Sequence, residues 1–84
     1  MGKTRVKLKR RLGYQEARNI LENYSGSSEL QLRELVAKYV KGGDETVEYM
    51  DFRELRYYWH VLRGIAKKEL KRAERRQSLL EKSL

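Results

Sequence analysis

The sequence has no cysteine, no proline and a single histidine in 84 residues. Without cysteine there is no disulfide and no thiolate metal site, and one histidine leaves no ligand set for zinc. No apolar run approaches the ~20 residues of a membrane span. The basic N-terminal residues lead into no apolar signal core either, so neither a transmembrane helix nor a secretory signal is expected. A cytoplasmic setting follows, nucleoid-associated if the partner is DNA, with no membrane partner. A chain of this length makes one small domain with a modest core, and such domains often lean on a dimer or another staple.

Positive charge, by contrast, is in excess: the formal net charge is +8 and the pI about 9.9. Residues 1–12 hold Lys3, Arg5, Lys7, Lys9, Arg10 and Arg11 and no acid, a charge of +6, whereas residues 13–50 carry −3 and residues 51–84 carry +5. An acidic middle between two basic ends is the electrostatic footprint of a polyanion-binding protein.

Residues 51–84 read as one long helix that changes character halfway. Asp51 with Glu54 three residues later forms an N-cap and capping box. Phe52, Leu55, Tyr58, Trp59, Val61, Leu62, Ile65 and Ala66 spread over about half of the helix circumference, so this part is expected to be buried against something broad. Beyond Ala66 the apolar face narrows to Leu70, Ala73, Leu80 and Leu84, a heptad-like seam weakened by Gln77. Opposite that seam, Arg63, Lys67, Lys71 and Arg75 form one i, i+4 row and Lys68, Arg72 and Arg76 the next, interrupted only by Glu69 and Glu74. A solvated face is the plain reading of such a surface. The second basic cluster, at the other end of the chain, makes it a candidate binding surface instead.

Ahead of that helix, Val6 and Leu8 alternate with Arg5, Lys7 and Lys9, which suits either a short edge strand or a flexible arm that orders on a partner; the arm is preferred. Tyr14, Ala17, Leu21 and Tyr24, with Ile20 widening the face, make a short amphipathic helix ended by Ser25-Gly26-Ser27, Gly26 being the left-handed residue. Ser27 or Ser28 caps a second helix carrying Leu30, Leu32, Leu35, Val36, Tyr39 and Val40, closed by Gly42-Gly43. Its outward residues Gln31, Arg33, Glu34, Ala37, Lys38 and Lys41 lack a dense base-reading set, favouring a core helix over the groove-entering helix of a helix-turn-helix. Residues 44–50 connect to the long helix, and the strand propensity of Thr46, Val47 and Tyr49 leaves open a one-turn extended piece there that could pair with Val6 to Leu8.

Residues 35–55, as helix, Gly-rich loop, Thr46-Val47-Glu48-Tyr49-Met50-Asp51-Phe52 and helix, resemble the second half of an EF-hand. With Asp51 at the last loop position, however, Val40, Gly42 and Asp44 occupy the first three side-chain ligand positions, and Glu45 stands where the motif has glycine. Two of those three supply no side-chain oxygen, so the resemblance implies helix-loop-helix geometry and no calcium.

The aromatic run Tyr57-Tyr58-Trp59-His60 is split by helical geometry. Tyr58 and Trp59 turn to the core, while Tyr57 and His60 face outward with Arg53, Arg56 and Arg63 and extend the basic face. His60 has no nucleophile, phosphate loop or paired carboxylates in a recognisable arrangement around it, so no enzyme activity, cofactor or metal is expected. Glu16, Glu22, Glu29, Glu34 and Glu48 read as solvated acids with partners among Arg18, Arg33 and Lys38. Gly64 lies opposite the seam, where it costs about 1 kcal/mol against alanine and offers the arm a place to bend.

The expected fold is all-α: two short helices packed on the first half of one long C-terminal helix, with a basic arm at 1–12, a helical core at 13–66 and a projecting basic helix at 67–84. The expected function is nucleic-acid binding through phosphate contacts with little base readout, DNA ahead of RNA. Lys3, Arg5, Lys7, Lys9, Arg10, Arg11, Arg63, Lys67, Lys68, Lys71, Arg72, Arg75 and Arg76 are the contacts. The alternative is an assembly module, a homodimer paired through Leu70, Ala73, Leu80 and Leu84.

Overall fold

Asp51 starts the dominant element. Its Oδ1 accepts from the Glu54 N–H at 2.9 Å, and the helix that follows, α4, runs unbroken through Gly64 from Phe52 to Ser83. The computed structural model describes residues 7–9 and 11–83, with side chains as far as residue 80. At ~1.5 Å per residue α4 is about 48 Å long, so it defines the long axis of a molecule measuring 54 × 25 × 16 Å.

Three shorter helices precede it: α1 (Tyr14–Asn23), α2 (Glu29–Tyr39) and α3 (Asp44–Glu48). Both α1 and α2 pack on α4, and α3 packs on α2. The core they close holds Ala17 and Ile20 from α1, Leu32, Leu35, Val36 and Tyr39 from α2, Val47 from α3, and Leu55, Trp59, Leu62 and Ala66 from α4. The all-α architecture expected from the sequence is therefore present, with the head built on the first half of α4. Past Ala66 burial fades: Leu70 and Ala73 are half-buried, and Leu79 and Leu80 are 65% and 68% exposed. From residue 71 to residue 80 α4 projects from the head with every residue but Ala73 exposed.

The Asp51 and Ser28 caps form as the sequence indicates, while the capping box is found on α1, between Gly13 and Glu16. Ser28 Oγ accepts from the Gln31 N–H at 3.3 Å, and α2 ends at Val40 before Gly42 and Gly43, whose φ angles of 94° and 55° turn the chain as only glycine does readily. Ion pairs Arg18–Glu22 and Arg33–Glu29 form within α1 and α2. Arg33 also donates to the Val47 carbonyl at 2.6 Å, placing a cation at the C-terminal end of α3.

Four details differ from the sequence reading. Gly26 is not left-handed, since only Gly42 and Gly43 have positive φ among the described residues. It is small because the Trp59 ring lies where a Cβ would stand. The Thr46 to Tyr49 stretch is not extended: Asp44 to Glu48 is helical, with two acids in the first turn suiting the helix dipole and Val47 buried, and these outweigh strand propensity. Leu8 pairs antiparallel with Val40 instead, through Lys9 N–H to Tyr39 O at 2.7 Å and Lys41 N–H to Lys7 O at 2.9 Å. Finally, the α1 and α2 apolar faces are narrower than expected, with Tyr14 and Leu30 exposed and Ala17 and Ile20 at the centre of the buried stripe.

Candidate nucleic-acid interface

Lys67, Lys68, Lys71, Arg72, Arg75 and Arg76 all lie exposed on the projecting half of α4. Only Arg76 is ion-paired, with Glu69 at 3.1 Å; no carboxylate among the described residues stands within ion-pair distance of the other five. Rows of like charge at i, i+4 spacing repel one another by a few tenths of a kcal/mol per pair, so packing within the monomer gives no reason for them. Arg63 is different. It is half-buried with its guanidinium over the Trp59 ring, 4.8 Å from the centroid, where it covers the core as well as carrying charge.

Towards the head the same side of the helix continues through His60, Tyr57, Arg56 and Arg53, all exposed, with Arg56 resting over Phe52 at 5.8 Å. Tyr57 is 62% exposed with its ring edge-on to Tyr58, and the His60 ring lies 4.8 Å from Trp59. Trp59 itself is 9% exposed and belongs to the core, although its Nε1 is buried with no hydrogen-bond partner among the described residues.

Of the N-terminal cations, Lys7, Lys9 and Arg11 are exposed, while Lys3, Arg5 and Arg10 lie outside the described residues. The bridge to Val40 brings Lys7 beside Lys41, which the sequence pattern sets among the outward residues of the second helix and whose meeting with the N-terminal cations no local pattern records. Leu12 is buried in the core, and this brings Arg11 to the side of α4. There Arg11, Leu12, Ile65, Lys68, Glu69 and Arg72 line a groove of about 510 Å³. The two basic ends of the sequence thus meet at Arg11, Lys68 and Arg72. The row of Arg63, Lys67, Lys71 and Arg75 does not line that groove; it runs along a neighbouring face of the helix.

The acids collect on the head. Glu16 is the one the sequence misjudged: it is half-buried, with Oε1 accepting from the Gly13 N–H at 3.0 Å and Oε2 from the Tyr39 hydroxyl at 3.0 Å. The Gly13 N–H, then the Tyr39 hydroxyl, hold its carboxyl below the usual range, with Lys9 adding to the effect. Burial and the same bond raise the Tyr39 hydroxyl to about 12.

Among the described residues no group of His, Asp and Glu side chains comes together that could hold a metal ion, and no helix is long and apolar enough to cross a membrane. Fold and surface together define a class: a small helical head carrying one projecting helix rich in exposed cations. Comparison with protein families, curated proteins and solved structures finds no match to the chain.

Proposed function

We propose that the protein is a small nucleic-acid-binding protein that grips the phosphate backbone with α4 and the N-terminal basic segment and reads little base sequence. The observation that carries this reading is the set of exposed cations Lys67, Lys68, Lys71, Arg72 and Arg75, none of which has an ion-pair partner among the described residues. A helix studded with unpaired cations on two adjacent rows lowers its free energy by releasing counterions from a polyanion, and it does so wherever phosphates are spaced to meet it. DNA is the preferred partner over RNA, because a lone helix about 10–12 Å across enters the wide major groove of B-DNA but not the deep, narrow one of A-form RNA.

The test is fluorescence anisotropy with a labelled 20-base-pair duplex, a single strand and an RNA hairpin, titrated with salt. With about eight phosphate contacts the log–log salt slope for the duplex is near −7. Alanine at Lys67, Lys68, Lys71 and Arg72 weakens binding to all duplex sequences alike. No binding of any of the three at low salt overturns the reading.

One observation favours a second reading, assembly through α4: Leu80 is 68% exposed beside Leu79 on the projecting half. Leu70 and Ala73, also on that seam, are half-buried, with Leu70 packed against the core of the same chain, and Leu84 lies outside the described residues. The proposed pairing therefore depends on the distal turns. Light scattering across a concentration series tests it, a constant monomer mass removing it.

A further inference from the structure

The groove between the N-terminal segment and α4 carries a narrower inference, which rests on the nucleic-acid reading. Two elements remote in sequence bring three cations to its lining, Arg11 from one and Lys68 with Arg72 from the other. Lys68 and Arg72 stand one turn apart on the same helix face, with Cβ atoms ~5–6 Å apart. Arg11 is held there by its neighbours: Leu12 is anchored in the core, and the chain before it is tied to the end of α2 by the Lys9 to Tyr39 and Lys41 to Lys7 hydrogen bonds. Convergence of three cations is unfavourable in itself, and the one carboxylate in the lining does not pair with any of them. Glu69 accepts instead from Arg76, at 3.1 Å.

We infer that this groove seats one backbone phosphate of the bound nucleic acid, Arg11 and Lys68 with Arg72 closing on it from the two sides. Ionised donors on a phosphate make shorter and stronger hydrogen bonds than neutral ones, and two guanidinium forks fix the direction of the anion as well as attracting it. A seat built from two elements sets the register and polarity of the nucleic acid against α4. The row Lys67, Lys71 and Arg75 adds attraction without that constraint.

The experiment compares charge removals on the full chain. Arg11→Ala and Arg72→Ala each weaken duplex binding by about tenfold, and together by far less than the product, because either loss opens the same seat. Arg11→Ala with Lys71→Ala multiplies, since those side chains share no phosphate. Arg11 is exposed, so its alanine variant keeps the parent melting midpoint. As a second readout, inorganic phosphate titrated into the free protein shifts the backbone amide resonances of Arg11, Leu12, Lys68 and Arg72 in nuclear magnetic resonance spectra, and Arg11→Ala abolishes the shifts. If the duplex binds but all pairs multiply and phosphate shifts nothing locally, the seat is overturned and the broader reading stands. If phosphate shifts the groove but no nucleic acid binds, the assignment of the ligand to nucleic acid is overturned. Anionic phospholipid vesicles binding more tightly than the duplex, with the same dependence on Arg11, overturn it too.

Discussion

Glu16 shows how one side chain ties local structure to packing. Its carboxylate closes the first turn of α1 through Gly13 and bridges to α2 through Tyr39. Because its pKa is lowered on folding, its contribution is full above the ordinary carboxylate value and is lost as pH falls through the lowered one. Glu16→Gln is therefore expected to lower stability near neutral pH by roughly 1 kcal/mol and to flatten the acid limb, so that the urea midpoint falls less between about pH 5 and pH 3 than in the parent. Tyr39 works in the opposite direction: stability from its raised value is full below 10 and is lost as pH rises towards about 12. The glycines give a second contrast among single residues. Gly26→Ala pushes a methyl into Trp59 and should cost about 1–3 kcal/mol. Gly64, with nothing among the described residues within 4 Å of where a Cβ would stand, should stabilise the helix by about 1 kcal/mol when changed to alanine. Thermal melts of the two variants moving in opposite directions check both.

Within α4 two helices of different kinds share one backbone. Residues as far as Ala66 are held by tertiary burial, and Leu62 is fully buried. Between residues 71 and 80 only Ala73 is half-buried among the described side chains, and isolated helices of such length are marginal in water. Leu62→Ala is expected to cost about 2–5 kcal/mol, whereas Leu80→Ala should stay within about 0.5 kcal/mol for a monomer. Equilibrium urea unfolding measures both, and a Leu80→Ala loss of several kcal/mol that grows with protein concentration would instead place Leu80 in a dimer seam. Amide hydrogen exchange should divide α4 at the same point, slow near Leu62 and fast past Ala73.

For the molecule as a whole, charge and stability oppose each other. The net charge of +8 is concentrated in residues 1–12 and 51–84, and on α4 six of the cations, Lys67, Lys68, Lys71, Arg72, Arg75 and Arg76, stand exposed within ten residues of one another, where they repel. Raising sodium chloride from about 50 to about 500 mM should therefore raise the melting midpoint by a few degrees, since the Debye length falls towards the spacing of neighbouring cations. The same change weakens polyanion binding, and a midpoint that falls with salt would contradict this account of the charge. Much of this architecture was legible in one dimension. Helical periodicity marked the long α4 and its loss of core after Ala66, the Asp51 and Ser28 caps are local hydrogen-bond chemistry, and the cation rows follow from 3.6 residues per turn. These depend on neighbours within about four residues, and so the order of residues along the chain is enough to set them. The rest waited on the folded chain: that residues 44–48 coil because Val47 is wanted in the core, that Gly26 is small for Trp59, that Leu8 pairs with Val40, and that Arg11 stands beside Lys68 and Arg72. Each of these is a meeting of residues far apart in the chain, set by which surfaces bury each other, and no local pattern records it.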